Sequence, residues 1–292
     1  MIREQRSCVL ISGAANGIGR ATARLFVEHG WFVGLSDIDT HALAILGEEL
    51  GAEHALTLPL DVTQAEQWQS TLANFFQRTG RLDLLINNAG ILISGHFASN
   101  SLTRHQALVD VNINGVLNGC YLSLPYLLKT SGARVINLSS SSAIYGQASL
   151  ATYSATKFAV RGLTEALNIE WQPHGISVVD IMPLFVQTDM ITDMDARSIK
   201  VFGAKLTAED VAQTIWRAAN QGNRYNKVHW PVGALSTWLL RLSGITPAWL
   251  NRFIAKRISG RASLMLLKTR AACRLPVPIP QGKQQRTLNT RA

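Results

Sequence analysis

Short runs of β-branched and aliphatic residues alternate with stretches of helical periodicity as far as about residue 220, and this alternation restricts the fold more than any other feature of the chain. A helix between two strands carries the chain back to the edge of the sheet where the previous strand began. The strands therefore lie parallel, with helices covering both faces. Strands are expected at Ser7–Ser12, Trp31–Asp37, Ala55–Leu60, Leu82–Asn87, Arg134–Leu138 and Ile176–Ile181, and helices at Gly17–His29, Thr40–Leu50, Gln64–Thr79, Leu102–Lys129, Thr152–Gln172 and Ala208–Asn220. Six of each predict one α/β, doubly wound parallel sheet within residues 1–232, and a basic, amphipathic helical C-terminal extension with a mobile tail is expected over 233–292.

With 47% hydrophobic and 16% charged side chains among 292 residues, the chain can bury a sizeable core, and disorder is excluded for the chain as a whole. Cys8, Cys120 and Cys273 are far apart and odd in number, so they provide neither a disulfide framework nor a metal site. A reducing, cytoplasmic setting is the expectation. The apolar run after Arg3 and Arg6 is broken by Gly13 and Asn16, which is too short for the apolar core of an export signal. Charge is unevenly divided. Residues 1–210 hold 14 Lys and Arg against all 19 Asp and Glu, whereas residues 211–292 hold 14 Lys and Arg and no acid. Contact with a polyanion or a membrane is therefore expected of the last part alone.

The segment Ser12-Gly13-Ala14-Ala15-Asn16-Gly17-Ile18-Gly19 lies between the first expected strand and the first helix. Glycines there permit a tight turn and close approach of a pyrophosphate, and the helix start offers free N–H groups and the positive end of its dipole. Gly13, Asn16, Gly17, Ile18 and Gly19 are the expected cofactor contacts. Asp37 ends the second strand, 18 residues beyond Gly19. A carboxylate there accepts hydrogen bonds from the adenosine ribose and repels a 2′-phosphate, which favours NAD over NADP. The competing role for Asp37 is a helix cap, for which Asp39 is equally well placed.

Tyr153 and Lys157 are four apart in an expected helix, so both side chains leave one face a turn apart. An ammonium beside a phenol is expected to lower the phenol's pKa toward a range useful for proton transfer. Many surface helices contain such a pair. Here it is joined by Asn87-Asn88-Ala89-Gly90 after the fourth strand, and by Ser140 thirteen residues before Tyr153-Ser154-Ala155-Thr156-Lys157. Together with the glycine turn, these motifs are collinear over residues 6–232 and resemble the short-chain dehydrogenase/reductase family.

The resemblance implies a Rossmann-like fold and an NAD(P)-dependent oxidoreductase that interconverts a secondary or primary alcohol and its carbonyl. It makes Tyr153 the general acid/base, Ser140 a hydrogen-bond partner of the same substrate oxygen, and Lys157 the group that lowers the Tyr153 pKa and holds the nicotinamide ribose. It makes Asn112 the anchor of a water in a proton relay. Asp61 and Val62 become adenine contacts, Asn88, Ala89 and Gly90 line the cofactor groove, and Val186 and Thr188 meet the nicotinamide end. Ser139, Ser141 and Ser142 flank Ser140, so a shift of one residue stays open at this point. The family has Pro-Gly after the sixth strand; here Pro183-Leu184 stands, which adds bulk beside the nicotinamide. The rival reading is a non-catalytic dinucleotide-binding module, against which the complete set of four residues argues. Members of the family form dimers and tetramers, so a homodimer or homotetramer is expected.

The expected substrate loop, residues 184–206, carries Phe185, Met190, Ile191, Met194, Ile199 and Phe202, and Ile144, Tyr145 and Leu150 lie between Ser140 and Tyr153. They point to a small hydrophobic alcohol or carbonyl substrate, or else pack the loop onto the domain. Residues 233–275 mix Trp238, Trp249 and Phe253 with Arg241, Arg252 and Lys256, and a helix is expected to begin at Thr246-Pro247. Three roles stay open for this extension: a cover on the site, a subunit contact, or peripheral contact with an anionic membrane. No motif for reading nucleic acid accompanies its charge.

Overall fold

The computed structural model describes residues 6–187, 206–221, 227–247, 249, 250, 252, 253 and 256. Among them, β1 (Cys8–Ser12), β2 (Phe32–Asp37), β3 (Ala55–Pro59), β4 (Leu84–Asn87), β5 (Arg134–Leu138), β6 (Ser177–Pro183) and β7 (His229–Val232) form one sheet in the order β3-β2-β1-β4-β5-β6-β7. Every neighbouring pair is parallel. The helices are α1 (Gly17–Glu28), α2 (Thr40–Leu50), α3 (Ala65–Thr79), α4 (Leu102–Val109), α5 (Gly115–Leu127), α6 (Ala151–Trp171), α7 (Ala208–Asn220) and α8 (Ala234–Ser243).

Alternation along each strand divides the core into two layers. From β1, Val9 and Ile11 join Phe26 of α1, Leu43 and Leu46 of α2 and Ile215 of α7. Cys8 and Leu10 face the other way, to Trp68 and Phe75 of α3, Val116 of α5 and Val160 of α6. Phe26 stands edge-on to Trp31 and Trp216, with centroids 5.1 and 5.0 Å away, and so ties α1 to α7. Truncating a ring buried in this way costs about 3–5 kcal/mol. The strand order turns back between β1 and β4, so the loops after these two strands part and leave a crevice at the carboxyl edge.

The doubly wound sheet is as expected, with strand and helix ends shifted by a residue or two. Three features differ. A seventh strand, β7, extends the sheet beyond β6; it is short and contains Pro231, which an edge position tolerates because no further strand needs its missing N–H. The single helix expected over 102–129 is α4 and α5 joined by a π-helical turn at Asp110–Asn114. Periodicity alone does not register the extra residue that such a turn accommodates. Helix α8 lies within the helical extension expected over 233–292 but begins ahead of the Thr246-Pro247 start; its buried Ser236 hydroxyl donates to the Met182 carbonyl at 2.9 Å. Beyond Pro247, the described residues Trp249, Leu250, Arg252, Phe253 and Lys256 are helical, as the Thr246-Pro247 start predicts.

Candidate active site

Glycine geometry shapes the turn after β1. Gly13 and Gly17 have φ of +67° and +51°, where a Cβ is strained. A Cβ on Gly13 would lie 2.7 Å from the Cα of Ala89, and one on Gly19 would collide with the Gly13 carbonyl. The loop after β4 locks this turn in place. Ser12 Oγ accepts from the N–H groups of Asn88 and Ala89, both at 3.2 Å, and Asn88 Nδ2 donates to the carbonyls of Ser12 and Gly13 at 3.0 and 2.8 Å. Asn16 caps α1 without a side-chain hydrogen bond, so no side chain competes for the helix's first N–H groups. Bare backbone donors in a cradle that a Cβ would fill suit a pyrophosphate.

Asp37 borders the same crevice. Its Oδ2 accepts from the Ala15 N–H and its Oδ1 from the Asp39 N–H, each at 3.0 Å. The capping role falls to Asp39, which accepts from Ala42 N at the start of α2. Asp37 is thereby left at the crevice, with lone pairs for ribose hydroxyls.

A cavity of about 490 Å³ continues from this turn to the N-terminal end of α6. Gly13, Asn16, Gly17, Ile18, Asp37, Asp61, Val62, Asn88, Ala89, Gly90, Ser140, Tyr153, Lys157 and Val186 all line it. Gly19 is not in the lining; it lies behind the turn. Thr188 lies outside the described residues, as do Met190, Ile191, Met194, Ile199 and Phe202. Ile91 and Leu92, which the sequence reading did not single out, also line the cavity. They directly follow the Asn-Asn-Ala-Gly run, and that adjacency was the available signal.

Contacts separate Ser140 from its neighbours. Ser139 donates to the Lys157 carbonyl at 3.3 Å, Ser141 pairs with Ser236 at 2.6 Å, and Ser142 accepts from Gln147 at 3.2 Å. Ser140 is the one hydrogen-bonded to the Tyr153 hydroxyl. Asn112, buried in the π-helical turn, accepts from the Ile91 N–H at 2.8 Å and donates to the Ile91 carbonyl and to Thr156 at 2.9 and 3.2 Å. Its carboxamide thus ties the β4 loop to α6.

Lys157 is buried, and Nζ donates to the Leu138 carbonyl at 2.7 Å. Among the described residues no carboxylate pairs with it, and burial pushes its pKa down to about 8. Tyr153 goes the opposite way to the sequence expectation. Burial pushes its hydroxyl up to about 12, and the hydrogen bond from Ser140 offsets only part of that rise. The Lys157 ammonium is 5.7 Å from the ring centroid and engaged with a carbonyl, so desolvation outweighs its attraction for a phenolate. Around the ring, Leu92, Leu150, Leu184 and Phe185 form an apolar cluster. Ile144 and Tyr145, expected near the substrate, pack instead with Met182, Leu239 and Leu240, and the Tyr145 hydroxyl bonds Thr246.

Comparison with known proteins agrees with this geometry. The family model for short chain dehydrogenases matches residues 7–198. A 3-alpha-(or 20-beta)-hydroxysteroid dehydrogenase of Mycobacterium bovis is 38% identical over 182 residues, 62% of this chain and 69% of that one. Among solved structures, the 3-ketoacyl-(acyl-carrier-protein) reductase from Brucella melitensis complexed with NADH superposes with TM-score 0.72 and 26% identity, covering 77% of this chain and 96% of that one. ElxO with NADP bound gives TM-score 0.71 and 27% identity, covering 78% and 97%. With a dinucleotide cradle at the switch point of its sheet, the chain belongs to the short-chain dehydrogenase/reductase family and is an NAD(P)-dependent oxidoreductase of small organic molecules.

Proposed function

We propose that the protein interconverts a hydrophobic primary or secondary alcohol and its carbonyl, with NAD preferred to NADP. In this reading residues 1–232 are the catalytic domain, 184–206 the substrate loop and 233–292 an extension. Bound in the crevice, NAD would supply the hydride acceptor or, as NADH, the donor. Tyr153 takes the proton of the substrate hydroxyl in oxidation and returns it in reduction, while Ser140 hydrogen-bonds the same oxygen. Lys157 holds the nicotinamide ribose and favours the ionised Tyr153. Asn112, held at the cavity wall by Ile91 and Thr156, anchors a water in the proton relay. Asp37 receives the ribose hydroxyls, and its charge disfavours a 2′-phosphate. Asp61 and Val62 flank the adenine, Asn88, Ala89 and Gly90 the middle of the cofactor, and Val186 and Thr188 its nicotinamide end.

The observation that carries the reading is the buried Lys157, without a counter-ion among the described residues, on the same face of α6 as a Tyr153 hydrogen-bonded to Ser140. A desolvated charge with only a carbonyl partner lowers stability, and such groups concentrate at functional sites. The apolar surroundings of Tyr153 support a hydrophobic substrate. The test is an assay of NADH and NADPH production over long-chain, aromatic and steroid-like alcohols, run with the wild type and Asp37→Ala. Turnover that is faster with NAD, and a preference that narrows about ten-fold in the variant, are expected from loss of charge-assisted hydrogen bonds. No turnover with any alcohol or with the matching ketones refutes the enzymatic reading, and unchanged selectivity refutes the role of Asp37.

A further inference from the structure

Helix α8 has two apolar sides. Ser236, Leu239 and Leu240 face the domain, where the two leucines pack against Ala143, Ile144 and Met182. Leu235, Trp238 and Leu242 recur at helical spacing on the other side, continued by Ile245 just past the helix end, and all are exposed. Exposure decides the matter here: Trp238 is 60% and Ile245 80% exposed, and in the following helical segment Trp249 is 70% exposed. Side chains of this size are seldom left in water without a partner surface. Arg241 flanks the stripe on α8, and Arg252 and Lys256 lie one turn apart beyond it, all exposed. Among the described residues none of the three pairs with a carboxylate, and the sequence has no acid from residue 211 onward.

We propose that this face lies on an anionic lipid bilayer, with the Trp, Leu and Ile side chains in the headgroup layer and the basic groups on lipid phosphates. Tryptophan beside Lys and Arg is the composition of an interfacial helix. No described helix is long and apolar enough to cross a membrane, so the contact is lateral. Charge argues against a second copy of the chain as the occupant. A two-fold contact sets each patch against itself, which would bring Arg241, Arg252 and Lys256 against their own counterparts. A layer of anionic headgroups neutralises them. The inference is independent of the reaction catalysed at the site.

The full chain is tested by co-sedimentation with phosphatidylcholine vesicles, either pure or containing about 30% phosphatidylglycerol, at low and high salt. Binding to the anionic vesicles about ten-fold or more above the neutral ones, weakening with salt, is expected. Brominated lipid should quench tryptophan fluorescence. Trp238→Ser combined with Trp249→Ser removes the quenching and reduces binding about ten-fold, and Arg241→Gln with Arg252→Gln and Lys256→Gln does the same to binding. All five side chains are exposed, and circular dichroism verifies that each variant is folded. Absence of binding, equal binding to neutral vesicles, or binding unaffected by the tryptophan pair overturns the proposal. Dissociation of an oligomer by the tryptophan pair with vesicle binding intact also overturns it, and assigns the face to a second subunit.

Discussion

Two groups of ionisable side chains border helix α6, and the fold treats them in opposite ways. At the N-terminal end, Tyr153 and Lys157 face the cavity with a serine hydroxyl and a backbone carbonyl as partners, and burial drives both toward their neutral forms. Two turns further on, Glu165 lies between Arg161, at 2.9 Å, and His229 of β7, at 3.0 Å. The other ring nitrogen of His229 is 2.9 Å from the buried Asp180 of β6. Only an imidazolium donates to both carboxylates. Burial opposes that charge, but the hydrogen bond and charge of Asp180 outweigh it with help from Glu165, so His229 is raised above its ordinary value. Paired charges serve here to fasten the edge strand to the sheet and to α6. Unpaired ones mark where chemistry is done.

The largest expected effect breaks or confirms the functional half of that contrast. Tyr153→Phe removes the hydroxyl proposed to exchange a proton with substrate and leaves the ring among its apolar neighbours. Turnover should fall about 10³–10⁴-fold, the upper range for a lost general acid/base, while NADH affinity by fluorescence titration changes less than about two-fold. Turnover within about ten-fold of wild type contradicts the role given to Tyr153.

Next in size is the structural half. His229→Ala leaves Asp180 buried without its partner, and its Oδ2 already lacks a hydrogen bond. Breaking a buried pair in this way costs about 3–5 kcal/mol, measurable by urea unfolding at pH 6. Because the folded pKa of His229 is raised, its stabilisation is complete below the ordinary value of 6.5 and is lost as pH rises through the folded value, so the cost should shrink in alkaline buffer.

Lys157→Met should act with the opposite sign. The folded pKa, about 8, lies below the ordinary 10.5, so between these values the unfolded chain binds more protons and stability rises with pH. Below pH 8 the wild type bears the full cost of burying an ammonium. The variant escapes it and should be more stable by on the order of 2 kcal/mol at pH 7, with the advantage gone above pH 10.5. It should also lose turnover. A variant less stable than wild type at pH 7 would place Lys157 among the structural charges and dissolve the distinction.

These two clusters differ equally in how far the sequence discloses them. Tyr153 and Lys157 stand one helical turn apart, and the glycine turn sits at a strand-to-helix junction; neither spacing is decisive alone, but their collinearity with the Asn-Asn-Ala-Gly run and Ser140 picks them out. Asp180 and His229 are 49 positions apart and meet only because β7 pairs with β6, and β7 is hidden by its four-residue length and Pro231. The thirteen-residue spacing to Tyr153 favours Ser140 among four serines, and the partners that each hydroxyl finds separate it from its neighbours. The direction of the Tyr153 shift is not legible in the sequence. Helical spacing places an ammonium near the phenol but says nothing of burial, and burial is the larger influence.

The smallest expected effect tests where pairing ceases to matter. Glu165 bridges Arg161 and His229, yet its side chain is 47% exposed, whereas Asp180 on the other side of the imidazole is fully buried. Solvent screens Glu165, and an exposed ion pair contributes about 0–1 kcal/mol. Glu165→Gln should therefore cost less than about 1 kcal/mol in urea unfolding, with the deficit shrinking further in high salt, because the glutamine oxygen can still accept from Arg161. Turnover should stay near wild type, since the next group along α6 toward the cavity, Arg161, keeps its hydrogen bond to the Ala143 carbonyl at 3.3 Å. A loss comparable to that of His229→Ala would mean that Glu165, rather than Asp180, holds the imidazolium, and that the fastening of β7 lies at the surface of the sheet edge instead of inside it.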